Sequence, residues 1–291
     1  MADFPLLLSP LVSTQWLADH LGADALVVVD ATVLYPSAAE PAGPASGRDA
    51  YLNHGHLPGA VFADLVAEFS DPSSRLPFTR PDRERFEAAV SRLGIDNETV
   101  VIAYDRALGQ WATRLWWLFR AFGHDRVAVL DGGQRKWLAE QRPIDTGHVR
   151  PPAASFTALH REEFWADKAR VEGILAGSEQ ATLVCALPAK EFSGAEGSFT
   201  RLGHIPGSRN IPISHVVDVR GDNSVHPLPR LREHFADVLG TGTIITYCGG
   251  GVAATVDALA LTLLGETDVA VYDGSLSEWV ADPKTPLVTT A

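Results

Sequence analysis

Thr243-Ile244-Ile245-Thr246-Tyr247-Cys248-Gly249-Gly250-Gly251-Val252-Ala253-Ala254-Thr255 is the stretch on which the fold turns. Its first five residues are β-branched or aromatic and predict a buried strand ending at Tyr247. Three glycines in a row then end the regular element. From Gly251 or Val252 to Leu264 the residues are mostly apolar and predict a helix, which Gly265 stops. A strand that turns sharply into a helix is the elementary unit of α/β proteins.

Moving outward, the same pattern occurs earlier in the chain. Val100-Val101-Ile102-Ala103-Tyr104 matches Thr243 to Tyr247, and Trp111 to Phe122 matches the later helix, with Gly123 as its stop. Val127-Ala128-Val129-Leu130-Asp131-Gly132-Gly133 returns as Val269-Ala270-Val271-Tyr272-Asp273-Gly274-Ser275, and Trp137 returns as Trp279. His56-Leu57-Pro58-Gly59-Ala60 returns as His204-Ile205-Pro206-Gly207-Ser208. Leu26-Val27-Val28-Val29 and Thr182-Leu183-Val184 supply one further strand each. The interval between copies shortens by one residue just after the Tyr104 and Tyr247 strands, so either Asp105 or Arg106 holds the place of Cys248. A repeat of about 140 residues is too long for a solenoid unit and reads as a duplicated globular domain. Near-continuous apolar strands alternating with helices indicate parallel sheets covered on both faces. The fold class is therefore α/β: two tandem domains, each a central parallel sheet flanked by helices. The boundaries are read as 1–145, a Pro-rich linker at 146–154, and 155–291.

The 291 residues include 24 Lys plus Arg against 36 Asp plus Glu, a formal net charge of −12. Such a surface repels nucleic acid and anionic membrane, so neither is an expected partner. Hydrophobic residues at 46% and charged residues at 21% argue against a disordered chain. Cys185 and Cys248 are the only cysteines. They cannot form a disulfide framework and fit a reducing compartment, hence an expected cytoplasmic location. MADFPLLLSP has no basic region, and Pro5 and Pro10 break its apolar run, which argues against a secretory signal. No stretch approaches the roughly 18 apolar residues of a membrane span. No ligand set with metal-site spacing accompanies His54 and His56, and no phosphate-binding glycine motif occurs. No metal and no cofactor is expected.

Cys248 stands at the carboxyl end of a parallel strand, where open α/β sheets place their ligands. The glycines after it allow a tight turn that aims successive N–H groups at one point, and the following helix adds its positive end. Both effects favour a thiolate and so a nucleophilic sulfur. The competing reading is a small core residue before an ordinary strand-to-helix turn. The repeat adds weight to the chemical one: the first copy has no thiol at this point, so the copies have diverged, the first as non-catalytic support and the second as the catalytic domain.

With these residues in hand the chain closely resembles the tandem rhodanese family of sulfurtransferases. The resemblance spans essentially the whole sequence and rests on the paired HxPG elements, Trp116-Trp117-Leu118 leading to Leu130-Asp131-Gly132-Gly133, Cys248-Gly-Gly-Gly-Val-Ala heading the last long helix, and Asp273-Gly274-Ser275 with Trp279. It implies two rhodanese-like domains, an active cysteine facing the cleft between them, and double displacement: the thiolate takes sulfane sulfur from a small-molecule donor as a persulfide, then passes it to a thiol or cyanide acceptor, a thioredoxin-like protein being one candidate. The expected persulfide-binding loop is Gly249, Gly250, Gly251, Val252 and Ala253. Thiosulfate sulfurtransferases typically read Cys-Arg-Lys-Gly-Val-Thr here and mercaptopyruvate sulfurtransferases Cys-Gly-Ser-Gly-Val-Thr. This chain resembles the second at Gly249, Gly251 and Val252 and departs from it at Gly250 and Ala253. The resemblance also implies a cleft-lining His56 and arginines binding the donor carboxylate. Ser193 stands where the first arginine is expected, which leaves Arg201 as the nearest cation. His204, Asp131 and Asp273 read as structural, Trp111, Trp116 and Trp117 as core and domain interface, Arg48 and Asp49 as a surface pair, and Cys185 as an inert core thiol where the first copy has Asp30.

Two other functions fit the sequence less well. A cysteine phosphatase needs a Cys-x5-Arg loop whose guanidinium clamps phosphate; here the sixth residue after Cys248 is Ala254. A non-catalytic binding module has no need of a cysteine and three glycines at this turn.

Overall fold

A computed structural model describes residues 5–35 and 43–290; residues 1–4, on which part of the N-terminal reading rests, lie outside them. The chain forms two units, described in turn.

In the first unit five parallel strands lie in the order Leu11–Val12, Val127–Leu130, Val100–Tyr104, Leu26–Asp30, Val61–Phe62. In the second the order is Trp165–Ala166, Val269–Tyr272, Ile244–Tyr247, Thr182–Cys185, Arg209–Asn210, again all parallel. The two sheets have the same topology, and in each the strand leading to the decisive loop is central. Register places Tyr104 beside Asp30 and Tyr247 beside Cys185. Burial on both faces explains why these strands are continuous runs of Val, Ile and Leu rather than alternating ones. The four outer strands have two residues each, too short to show any period in sequence.

The helices after the central strands are Gln110–Ala121 and Ala254–Leu263. In the first, every residue but Gln110 and Arg120 is buried; in the second, Ala254 to Leu261 are all buried. The later helix begins at Ala254, after the expected Gly251 or Val252, because Gly251 is left-handed (φ +75°) and belongs to the turn.

Repeated hydrogen bonds explain the repeated motifs. The Tyr104 hydroxyl accepts from Leu57 N–H at 3.1 Å and the Tyr247 hydroxyl from Ile205 N–H at 3.1 Å, which fastens each HxPG element to its central strand. The buried Trp137 and Trp279 donate from Nε1 to the carbonyls of Pro143 and Pro286 at 2.7 and 2.9 Å. The stretch 146–154, expected as a linker, is part of the first unit, which runs to Arg161 and also takes in Val219–Ser224. The second unit takes in Ser74–Thr79. Among the described residues no helix is long and apolar enough to cross a membrane.

Candidate active site

Cys248 follows the central strand of the second sheet and is 3% exposed. Its N–H donates to Ser275 Oγ at 3.1 Å, and that hydroxyl donates to Tyr272 O at 2.8 Å. The Cys248 carbonyl accepts from Leu276 N–H at 3.0 Å, and the Gly249 carbonyl accepts from the N–H and hydroxyl of Ser277 at 2.8 and 2.7 Å. The Asp273–Trp279 segment thus holds the carbonyls at the start of the loop. Gly251 must be glycine: a Cβ there would lie 2.5 Å from Asp273 O. Among the described residues no acceptor is bonded to the amides of Gly250, Ala253 or Ala254. The residue capping the helix is Ala253, which has no side-chain acceptor to offer them. Uncapped N–H groups at the positive end of a ten-residue helix are able to donate to an anion. Val252 is buried, as is Ala254. Side chains beside the first two glycines are apolar or hydroxylic. A Cβ on Gly249 would stand 3.4 Å from Phe199, and one on Gly250 would stand 3.9 Å from Ser277 Oγ and 4.0 Å from Pro77.

The first unit settles which residue stands in the place of Cys248. The Asp105 carbonyl accepts from Gln134 N–H at 3.0 Å, as the Cys248 carbonyl does from Leu276. Thr113 Oγ1 donates to Gln110 O at 3.0 Å, as Thr255 Oγ1 does to Val252 O at 2.7 Å. Asp105 is the equivalent of Cys248. Arg106 turns instead to the carbonyls of Ala50 and Gly55.

His56 and Arg201, expected as substrate contacts, are both engaged by backbone carbonyls. His56 has no exposed surface. Its Nδ1 lies 2.9 Å from Leu57 O, its Nε2 lies 3.2 Å from Gly147 O, and Tyr51 stacks on its ring at 4.1 Å. It braces a turn and offers no face to a ligand. Arg201 donates from its terminal nitrogens to Asp282 O at 2.7 Å, Thr285 Oγ1 at 3.2 Å and Thr285 O, so it ties down the C-terminal segment. Arg48 pairs with Asp64 and Glu68 at 4.0 Å, where pairing with Asp49 was expected.

The remaining residues take structural places. His204 stacks on Phe192 at 3.5 Å and its Nδ1 lies 2.7 Å from Phe192 O, while burial lowers its pKa. Asp131 pairs with Lys136 at 3.1 Å. Trp111, Trp116 and Trp117 are fully buried. Cys185 is completely buried, and burial pushes its thiol up to about 12, so it stays protonated and inert at neutral pH.

Sequence reasoning missed Ser275, Ser277 and Phe199. Ser275 had a signal: it replaces Gly133 of the first copy and keeps that residue's left-handed backbone, φ +49° against +52°. A serine held there despite the strain points to a use for its hydroxyl.

The comparisons agree with this geometry. The model of the Rhodanese-like domain matches residues 13–140 and 179–282. The chain is 34% identical to 3-mercaptopyruvate sulfurtransferase of Escherichia coli (strain K12) over 95% of this chain and 96% of that one. It is 36% identical to thiosulfate sulfurtransferase of Gallus gallus over 92% of each. The crystal structure of SseA from Escherichia coli, described among 3-mercaptopyruvate sulfotransferases, superposes with a TM-score of 0.79 at 32% identity, covering 92% of this chain and 98% of that one. With paired five-stranded parallel sheets, a single cysteine loop and matches that span nearly its full length, the chain belongs to the rhodanese family and is a two-domain sulfurtransferase.

Proposed function

We propose that Cys248 carries sulfane sulfur as a persulfide and that 3-mercaptopyruvate is a better donor than thiosulfate. The observation that carries the reading is the loop itself: uncapped amides after Cys248, with glycine at the two positions where thiosulfate enzymes resemble one another in having Arg and Lys. The Cys248 thiolate attacks the donor sulfur and a sulfur–sulfur bond forms. The carbon–sulfur bond breaks, and pyruvate leaves as its enolate and takes up a proton. A thiol or cyanide acceptor then attacks the outer sulfur and frees the thiolate. The loop amides favour the anionic forms at each stage. Thiosulfate is a dianion, and the side chains nearest the loop glycines, Phe199, Leu187, Pro77 and Ser277, offer it no charge. Losing a charge-assisted contact costs about 1.5–3 kcal/mol, or roughly one to two orders of magnitude in kcat/KM. With Arg201 engaged by the C-terminal segment, the donor carboxylate is left without the arginine clamp of the branch, and modest activity on both donors is expected. A cytoplasmic setting, suited to two free cysteines, belongs to the same reading.

Intact-protein mass spectrometry after each donor, with peptide mapping, tests the carrier: one reducible sulfur should map to Cys248, and mapping to Cys185 would refute it. Rates with a common acceptor test the donor. Thiosulfate better by about tenfold would place the chain in the other branch. Arg201→Ala should lower stability more than it changes the KM for mercaptopyruvate.

A further inference from the structure

The two central strands end in side chains of matched reach. An aspartate places its oxygens two bonds beyond Cβ, and a cysteine persulfide places its terminal sulfur at the same remove. Asp105 is 1% exposed. Its Oδ1 accepts from the N–H groups of Ala107 at 2.7 Å and Gly109 at 3.1 Å, and its Oδ2 from those of Trp111 at 2.9 Å and Ala112 at 3.0 Å. All four partners are donors and each oxygen takes two of them, which is complementary to the ionised carboxylate. Burial pushes this carboxyl upward and the four N–H groups work against that push. The matching amides of the second repeat, Gly250, Ala253 and Ala254, are the ones with no acceptor among the described residues.

We propose that the loop after Asp105 is an anion cradle permanently occupied by the chain's own carboxylate, which stands where the terminal sulfur of the Cys248 persulfide stands in the other repeat, so that the first repeat is kept out of sulfur transfer by an internal ligand as well as by the want of a thiol. The comparison with the persulfide rests on the carrier reading of Cys248; the occupied cradle does not. The ligand class is a small carboxylate. Cutting Asp105 back to glycine leaves a space of that shape, lined by four N–H groups.

The test is run in a Cys248→Ser background, so that no readout depends on sulfur chemistry. Asp105→Gly should lower Tm by about 5–10 °C, and sodium acetate should restore much of the loss where sodium chloride of equal ionic strength does not. Asp105→Asn keeps the shape but turns an amide NH2 toward two of the donors; it should lose stability with no response to acetate. Carbon-13 NMR of the unmodified protein with labelled aspartate, assigned through its own backbone, decides the matter even where a variant fails to fold: the Asp105 carboxyl should be ionised at pH 7. A protonated Asp105 at pH 7, or a folded Asp105→Gly indifferent to acetate, would overturn the proposal. Acetate rescue here, together with no sulfur on Cys248 when the wild-type protein is mapped by mass spectrometry after each donor, would keep the cradle and sink the carrier reading.

Discussion

Tyr104 and Tyr247 end equivalent strands, accept equivalent hydrogen bonds, and are followed by loops of nearly equal length, yet what comes next differs in kind. After Tyr104 a buried carboxylate gathers four amides and caps its own helix. After Tyr247 a thiol precedes three glycines, and the helix is left without a side-chain cap. A self-capped helix N-terminus is the stable arrangement, usually worth about 0.5–2 kcal/mol. The second repeat forgoes that stability, and an uncapped terminus beside a cysteine is free to donate to an anion, as the proposed persulfide needs. The difference shows how one fold can fill or leave open the same turn with changes confined to a few residues.

The largest effect should come from removing the one group the first repeat lacks. Cys248→Ser should lower sulfur transfer at least about 10³-fold, with Tm shifted by no more than about 2 °C. Substantial residual turnover would mean the two loops differ less than their geometry indicates. Next come the loop glycines. Gly109 and Gly251 are both left-handed, at φ +87° and +75°, but a Cβ on Gly109 meets nothing within 4 Å, whereas one on Gly251 meets Asp273 O at 2.5 Å. Gly109→Ala should therefore cost about 1–2 kcal/mol in urea unfolding, and Gly251→Ala about 3 kcal/mol or more, with activity lost alongside. Equal costs would show that the second loop relaxes freely.

A smaller effect is expected at Ser275. Ser275→Gly restores the first repeat's residue, relieves a left-handed serine, and removes the acceptor of the Cys248 N–H. Stability should change by less than about 1 kcal/mol while kcat falls several-fold at nearly constant KM. A fall in KM's favour alone, or none in kcat, would remove the serine from the positioning of Cys248. The last comparison leaves activity untouched and concerns Cys185, which stands where the first repeat has Asp30. Burial raises the Cys185 thiol from 9.0 to about 12, so the folded state holds its proton more tightly than the unfolded chain. That contribution is complete below pH 9 and is lost as pH rises from 9 to 12. Wild type should lose stability over this window more steeply than Cys185→Ala, as read by Tm against pH, and parallel curves would contradict the shift. Iodoacetamide at pH 8 should label Cys248 and spare Cys185.

Much of this architecture was legible in sequence because parallel strands buried on both faces leave unbroken runs of Val, Ile and Leu, and because the chain repeats itself. The strands Val100–Tyr104 and Val127–Leu130 fall where those runs do. Edge strands such as Arg209–Asn210 were not legible, since two residues carry no period. Cys248 stood out as an unusual residue in an unusual turn. His56 and Arg201 were legible only as residue types capable of touching a substrate. Their actual partners, Leu57, Gly147, Asp282 and Thr285, are mostly backbone carbonyls, and backbone leaves no mark in a pattern of side chains.

Local sequence was thus sufficient for the duplicated α/β fold and for the cysteine at the strand end, because hydrophobic runs and glycine turns act over a few neighbouring residues. It left Asp105 and Arg106 tied as the counterpart of Cys248, gave no hint that Asp105 gathers four amides, and marked Ser275 as a departure from Gly133 without showing that it holds the Cys248 N–H. Those facts depend on which groups face one another across turns and across segments as distant as 248 and 275. Hydrogen-bond geometry of that kind is set only once the chain has packed.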